Sequence, residues 1–130
     1  MIAVDTNVLL RVITNDDPAQ ASRAAKFLAR PDRVFVPKTV VLELEWVLRG
    51  AYGIDRQGIA AAMLRLQDLS NVEIEDDSVV ALALTWYEGG MDFADALHLG
   101  SAGPNLDFAT FDAALRKKAQ GLGLKSVSSI

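Results

Sequence analysis

Residues 1–13 read MIAVDTNVLLRVI, and the break inside this stretch decides the fold. Met1 to Val4 is an apolar run of strand length. A carboxylate, a hydroxyl and an amide follow at once in Asp5, Thr6 and Asn7, after which Val8, Leu9 and Leu10 resume the apolar pattern. Polar groups wedged between two buried segments must be satisfied or useful, because burying an ionised carboxylate without partners is costly.

Working outward, five short segments have strand character: Ile2–Val4, Val34–Val36, Val72–Ile74, Leu106–Ala109 and, more weakly, Ser126–Ser128. Helical patterns lie between them. Asp16-Asp17-Pro18 reads as a helix start, with acids near the positive end and proline early, and Ala19 to Ala29 supplies the helix. Thr39 to Gly50 is apolar at 40, 44, 47 and 48, one face of a helix. Asp55 caps a helix expected to run through Leu69, and Asp76 or Asp77 one running through Glu88 to the Gly89-Gly90 stop. Asp92 opens a further helix toward Ala102, ended by Gly103-Pro104. Strands alternating with helices predict an α/β fold with a mostly parallel sheet covered on both faces.

The chain has 130 residues, of which 51% are hydrophobic and 23% charged, so one domain spanning 1–130 with a sizeable core is expected. No stretch approaches the ~18 uncharged apolar residues of a membrane span, and Asp5 falls where a basic leader would begin. The absence of cysteine excludes disulfides, thiolate catalysis and thiolate metal sites. A cytoplasmic protein is the expectation. The net charge of −4 lacks the basic surplus usual in nucleic-acid binders, but local charge and bound cations outweigh the sum.

In open α/β sheets, ligands bind beyond the carboxyl ends of the strands. Asp5 stands at the end of the first expected strand, and Asp112 just past the fourth, in LDFATFDAAL. Asp92 and Asp95 open the helix that feeds this strand, in MDFADALHL, and Glu43 and Glu45 follow the second strand, in VVLELEWVL. Each has a plain structural reading as well. Asp5, Thr6, Asp92 and Asp112 stand where N-caps stand, and Asp95 suits the positive end of a helix dipole. At 100° per residue, Glu43 lies about 40° beyond Val47 and Glu45 about 40° beyond Val41. Periodicity therefore leaves the choice between the two glutamates open.

Several carboxylates in one place would need more explanation. Two unit charges ~4 Å apart repel by about 4 kcal/mol at an effective dielectric near 20, so a cluster requires protons or a cation. Oxygen donors without cysteine and with little histidine suit Mg²⁺ or Mn²⁺. Such ions generate hydroxide from bound water and neutralise charge on a phosphate under attack.

The strings VDTNVLLR, VVLELEWVLR, DFADALHL and FATFDAALRKK, in this order and spacing, resemble the PIN-domain ribonucleases, and most of all the VapC toxins of bacterial and archaeal toxin–antitoxin pairs. The resemblance runs from the first strand to the last helix. It implies a three-layer α/β/α sandwich around a mostly parallel five-stranded sheet, and metal-dependent cleavage of RNA. It assigns Asp5 as the acid of the first strand with Thr6 and Asn7 in support, and Glu43 as the helix acid. Asp95 becomes the acid of the D-A-L-H-L stretch, and Asp112 that of the T-x-D motif, with Thr110 beside it. Asp5, Asp95 and Asp112 would be the metal ligands, for Mg²⁺ or Mn²⁺. The partners implied are an RNA substrate, a small DNA-binding antitoxin and a second copy of the chain in a homodimer.

Other residues carry weaker readings. Arg11 and Arg49, one or two helical turns from Asn7 and Glu43, are candidate RNA contacts, as are Arg116 and Lys117 at a helix end near Asp112. Asp95, His98 and Ser101 recur at i, i+3, i+6, but neighbours on one rigid helix rarely reach triad geometry. Trp46 and Trp86 read as core or interface residues. Two alternative functions share the size and fold class. A phosphoacceptor receiver-like switch domain would use Lys125 before its last strand, but it needs an acid pair where this chain has Thr6-Asn7. An aspartate-nucleophile phosphatase needs a second acid where Asn7 stands.

Overall fold

Among the described residues each strand is two or three residues long, and each but the last is followed by helix, because a parallel pair cannot be joined by a tight hairpin. The computed structural model describes residues 1–124 and 127–130. Lys125 and Ser126, and with them the start expected for the last strand, lie outside the described residues. The chain folds into two compact units, Met1–Asp77 and Ser78–Ile130. No helix among the described residues is long and apolar enough to cross a membrane.

In the first unit, β1 (Ile2–Ala3), β2 (Val34–Val36) and β3 (Val72–Ile74) form a parallel sheet in the order β1-β2-β3. Ile2 is in register with Val34, and Val34 with Val72. The central strand carries the sheet's most buried side chains, Val34 and Val36.

Helix α1 (Thr6–Thr14) starts at the polar break, where Asp5 is its N-cap, and ends on Asn15, held at φ 52° in the left-handed region. Asp17 caps α2 (Pro18–Leu28), with proline in the first turn as expected. After Pro37, α3 (Lys38–Gly50) has no cap from its own N-terminus. The Glu75 carboxylate beyond β3 accepts from the Lys38 amide instead, at 2.8 Å. Asp55 caps α4 (Arg56–Asp68). Asn71 secures the entry to β3 by donating its amide to the carbonyls of Leu28 and Arg30, at 2.7 and 2.9 Å.

In the second unit, α5 (Asp77–Glu88, from Ser78 onward) and α6 (Phe93–Ala102) precede a parallel pair, β4 (Phe108–Thr110) and β5 (Val127–Ser129), joined through α7 (Ala113–Gly121). Phe108 is in register with Val127, and Thr110 with Ser129. Tyr87 and Phe93 meet edge to face, 5.3 Å between ring centres, in the core of this unit. Gly100 lets α6 approach α5 closely, since a Cβ there would stand 3.1 Å from Val79 Cγ1.

The α/β class and the expected strands are present, hydrogen-bonded as three and two. The first strand, expected through Val4, ends at Ala3, and the last, expected to end at Ser128, runs to Ser129; two larger differences concern the fourth strand and the face of α3. The fourth strand was expected at Leu106–Ala109 and lies at Phe108–Thr110, because the turn begun at Gly103 (φ 86°) continues and leaves Leu106 exposed. On α3 the buried stripe is Val41, Leu44, Glu45 and Leu48 rather than 40, 44, 47 and 48. That rotation separates the two glutamates.

Candidate active site

The polar break after β1 places three neighbouring side chains differently. Asp5 Oδ1 accepts from the Val8 amide at 3.3 Å, a capping bond that engages one carboxylate oxygen. Thr6 is the first helical residue rather than the cap, and its side chain is buried. Its hydroxyl donates to Oε1 of Glu43 on α3. Asn7 is exposed and lines the same cavity as Asp5.

Glu43 is exposed, about 150° around α3 from the centre of the buried stripe. It is tied to the residue next to Asp5 although neither capping nor core packing requires it there. Glu45, only 2% exposed, instead forms an ion pair with Arg49, Oε2 to Nε 2.8 Å. One glutamate of LELE thus serves the helix's own packing, and the other meets the end of β1.

In the second unit the carboxylates stand at helix N-termini. Asp92 caps α6 by accepting from the Asp95 amide at 3.1 Å. Asp112, just past β4, caps α7 by accepting from the Leu115 amide at 3.0 Å, and its own amide donates to Thr110 Oγ1 at 2.9 Å. Thr110 is thus the partner of Asp112 that the T-x-D spacing suggests. Burial pushes the Asp95 carboxyl above its ordinary value, and the negative charges of Asp92 and Asp112 push it further, against a smaller opposing effect of His98. Three acids therefore share one electrostatic neighbourhood.

The candidate RNA contacts differ in circumstance. Arg11 is held by Asp16 (3.0 Å) and Gln20 (2.6 Å), and Arg49 by Glu45. On α7, Arg116 is half-buried and Lys117 exposed. Sequence reasoning missed Asp16, which accepts from Tyr52 (2.7 Å), Thr14 (2.9 Å) and Arg11. These bonds hold its carboxyl below the ordinary value, the Tyr52 bond most of all. It also missed Arg23 and the cavity it lines. The i, i+3, i+4, i+7 set of Gln20, Arg23, Ala24 and Phe27 was the available signal. Lys125, which the receiver alternative needs, is outside the described residues.

Residues 2–121 match the PIN domain family. The chain belongs to that family. No curated protein and no solved structure matches it. As a PIN domain it has the three-layer α/β/α fold class, here with small sheets of three and two strands. PIN domains are generally nucleases, hydrolases acting on nucleic acids, and they typically bind divalent metals. The donors of this PIN domain suit such an ion chemically: carboxylate oxygens, no cysteine and one histidine. The negative charges of Asp92 and Asp112, which add to the effect of burial at Asp95, are ones a cation would offset. In neither unit, among the described residues, do three or more Asp, Glu or His side chains group closely enough to hold a metal ion.

Proposed function

We propose that this PIN domain is a metal-dependent endoribonuclease and the toxin of a toxin–antitoxin pair. The observation that carries the reading is the Thr6–Glu43 hydrogen bond. It ties an acid that neither caps a helix nor fills the core to the carboxyl end of β1, beside Asp5. The family match across residues 2–121 supplies the nuclease character.

In this reading Asp5, Asp95 and Asp112 would hold Mg²⁺ or Mn²⁺, which when bound supplies an activated water and offsets charge on the phosphate. Glu43 orients the attacking water, and its own position is held by Thr6. Thr110 fixes the turn before Asp112 through the Asp112 amide, which sets the direction of that carboxylate. The substrate is RNA, cleaved to a 5′-phosphate and a 3′-hydroxyl. A small antitoxin silences the enzyme by placing a basic side chain among the acids, and the toxin works as a homodimer in the cytoplasm.

The test is cleavage of structured RNA by purified protein freed of any partner. Cleavage should require Mg²⁺ or Mn²⁺ and stop in EDTA. Activity that persists in EDTA, or products ending in 2′,3′-cyclic phosphate, would overturn the mechanism. Co-purification with the product of a neighbouring gene, and loss of cleavage on adding that product, tests the toxin role. Sedimentation tests the dimer.

A further inference from the structure

The first unit holds a cavity of about 820 Å³, lined on one side by β1 and the first residues of α1 and on the other by α2. Asp5 and Asn7 line it, and so do two cations, Arg11 and Arg23. Arg11 is already neutralised by Asp16 and held by Gln20. Arg23 is exposed, and among the described residues it joins none of the ion pairs that hold Arg11, Arg30, Arg33, Lys38 and Arg49. Much of the remaining wall is apolar, including Val8, Ala24 and Phe27.

A guanidinium without a carboxylate partner, above an apolar wall, offers what a nucleic-acid single strand needs: a cation for the phosphate and a dry surface for the bases. Arginine suits the first task because its planar fork matches two phosphate oxygens at once. We propose that Arg23 holds a backbone phosphate of the substrate strand, and that the cavity between β1 and α2 positions that strand beside Asp5. This rests on the nuclease reading and adds to it a positioning residue and a path for the substrate.

The experiment measures binding of the full chain to a fluorescein-labelled single-stranded RNA of mixed sequence by anisotropy, in EDTA, over a series of salt concentrations. Removing one phosphate contact lowers the slope of log K against log salt by about 0.7 for a single strand, and weakens binding roughly three- to tenfold at physiological salt. Arg23→Ala should show both changes, and Arg23→Lys should keep most of the slope. Arg65→Ala, an exposed change on α4 away from the cavity, should show neither. With Mg²⁺, Arg23→Ala should raise KM and leave kcat near the wild-type value. A purely structural role would not move the salt slope. If Arg23→Ala keeps the wild-type slope and KM while cleavage is intact, the proposal falls and the nuclease reading stands. If Arg23→Ala instead loses only a co-purifying protein partner, the cavity belongs to that partner and the proposal also falls. A wild type that neither binds nor cleaves RNA removes both.

Discussion

Both units use acids as helix caps, but the remaining acids of the first unit and those of the second are held differently. In the first, besides the capping acids Asp5, Asp17 and Asp55, three carboxylates take side-chain donors: Thr6 for Glu43, Arg49 for Glu45, and Tyr52, Thr14 and Arg11 for Asp16. In the second, Asp92 and Asp112 accept from backbone amides at two helix starts, and their charges add to the burial that raises Asp95. A carboxylate given its own donors stabilises the fold without further help. Acids left facing acids are stable only near a compensating charge.

The largest effect should come from Asp5 and Asp112, which cap helices and, in the proposed function, also hold the metal. Asparagine caps a helix about as well as aspartate, so Asp5→Asn and Asp112→Asn should each leave the melting temperature nearly unchanged. Each should lower RNA cleavage by roughly a hundredfold or more, the scale of losing a group that acts in the transition state. Full cleavage by either variant, with the wild-type response to Mg²⁺, would reduce that residue to a cap.

The two glutamates of α3 should separate activity from stability. Glu45→Ala removes a buried carboxylate and the ion pair it makes with Arg49. Because Arg49 is half-exposed, the loss should be about 1–2 kcal/mol, less than for a fully buried pair. Denaturant unfolding measures it, and cleavage by the folded protein should persist. Glu43→Gln should do the reverse. A Glu45→Ala protein that is stable but inactive would exchange the roles of the two residues.

Thr6→Val keeps the buried shape and removes the hydroxyl that holds Glu43. A hydrogen bond of this kind contributes about 1 kcal/mol, so a small drop in unfolding midpoint should accompany a several-fold loss of cleavage. Thr6→Ser should restore the cleavage. Loss of stability without loss of rate would show that Glu43 needs no holding.

The smallest effects are on pH dependence, and they differ in sign between the units. The Asp95 carboxyl is raised in the fold, so the associated stability is present below the unfolded value near 3.8 and is lost as pH rises through the folded one. In EDTA at neutral pH, Asp95→Asn should therefore melt slightly higher than wild type, with the gain vanishing in acid. Asp16 is lowered, so its contribution is present above 3.8 and is lost as pH falls through the folded value. Asp16→Asn should melt lower at neutral pH and converge with wild type in strong acid. Melting curves from pH 3 to pH 7 for both variants test the contrast, and shifts of the same sign would remove it.

Most of this architecture could be read locally. Asp5, Asp17, Asp55, Asp92 and Asp112 all cap helices where the pattern places them, because a cap depends on residues within one turn. The strands β2 and β3 were found at their boundaries, since short apolar runs between turn residues are local signals too. β4 was misplaced by two residues, because the length of the preceding turn depends on what Phe108 and Thr110 pair with across the sheet. Resemblance, not periodicity, picked Glu43.

The α/β alternation, the capping residues and the family were legible in the amino-acid sequence alone. These follow from hydrophobic pattern and local hydrogen bonding, which act over a few residues. The tertiary structure was needed to show that Glu45 is buried and Glu43 bonded to Thr6, that Arg11 is neutralised while Arg23 joins no ion pair among the described residues, and that burial, with Asp92 and Asp112, raises Asp95. Those outcomes depend on which side chains from distant segments stand within a few ångströms of one another. A helix wheel fixes angles along one axis and carries no information about what approaches that axis.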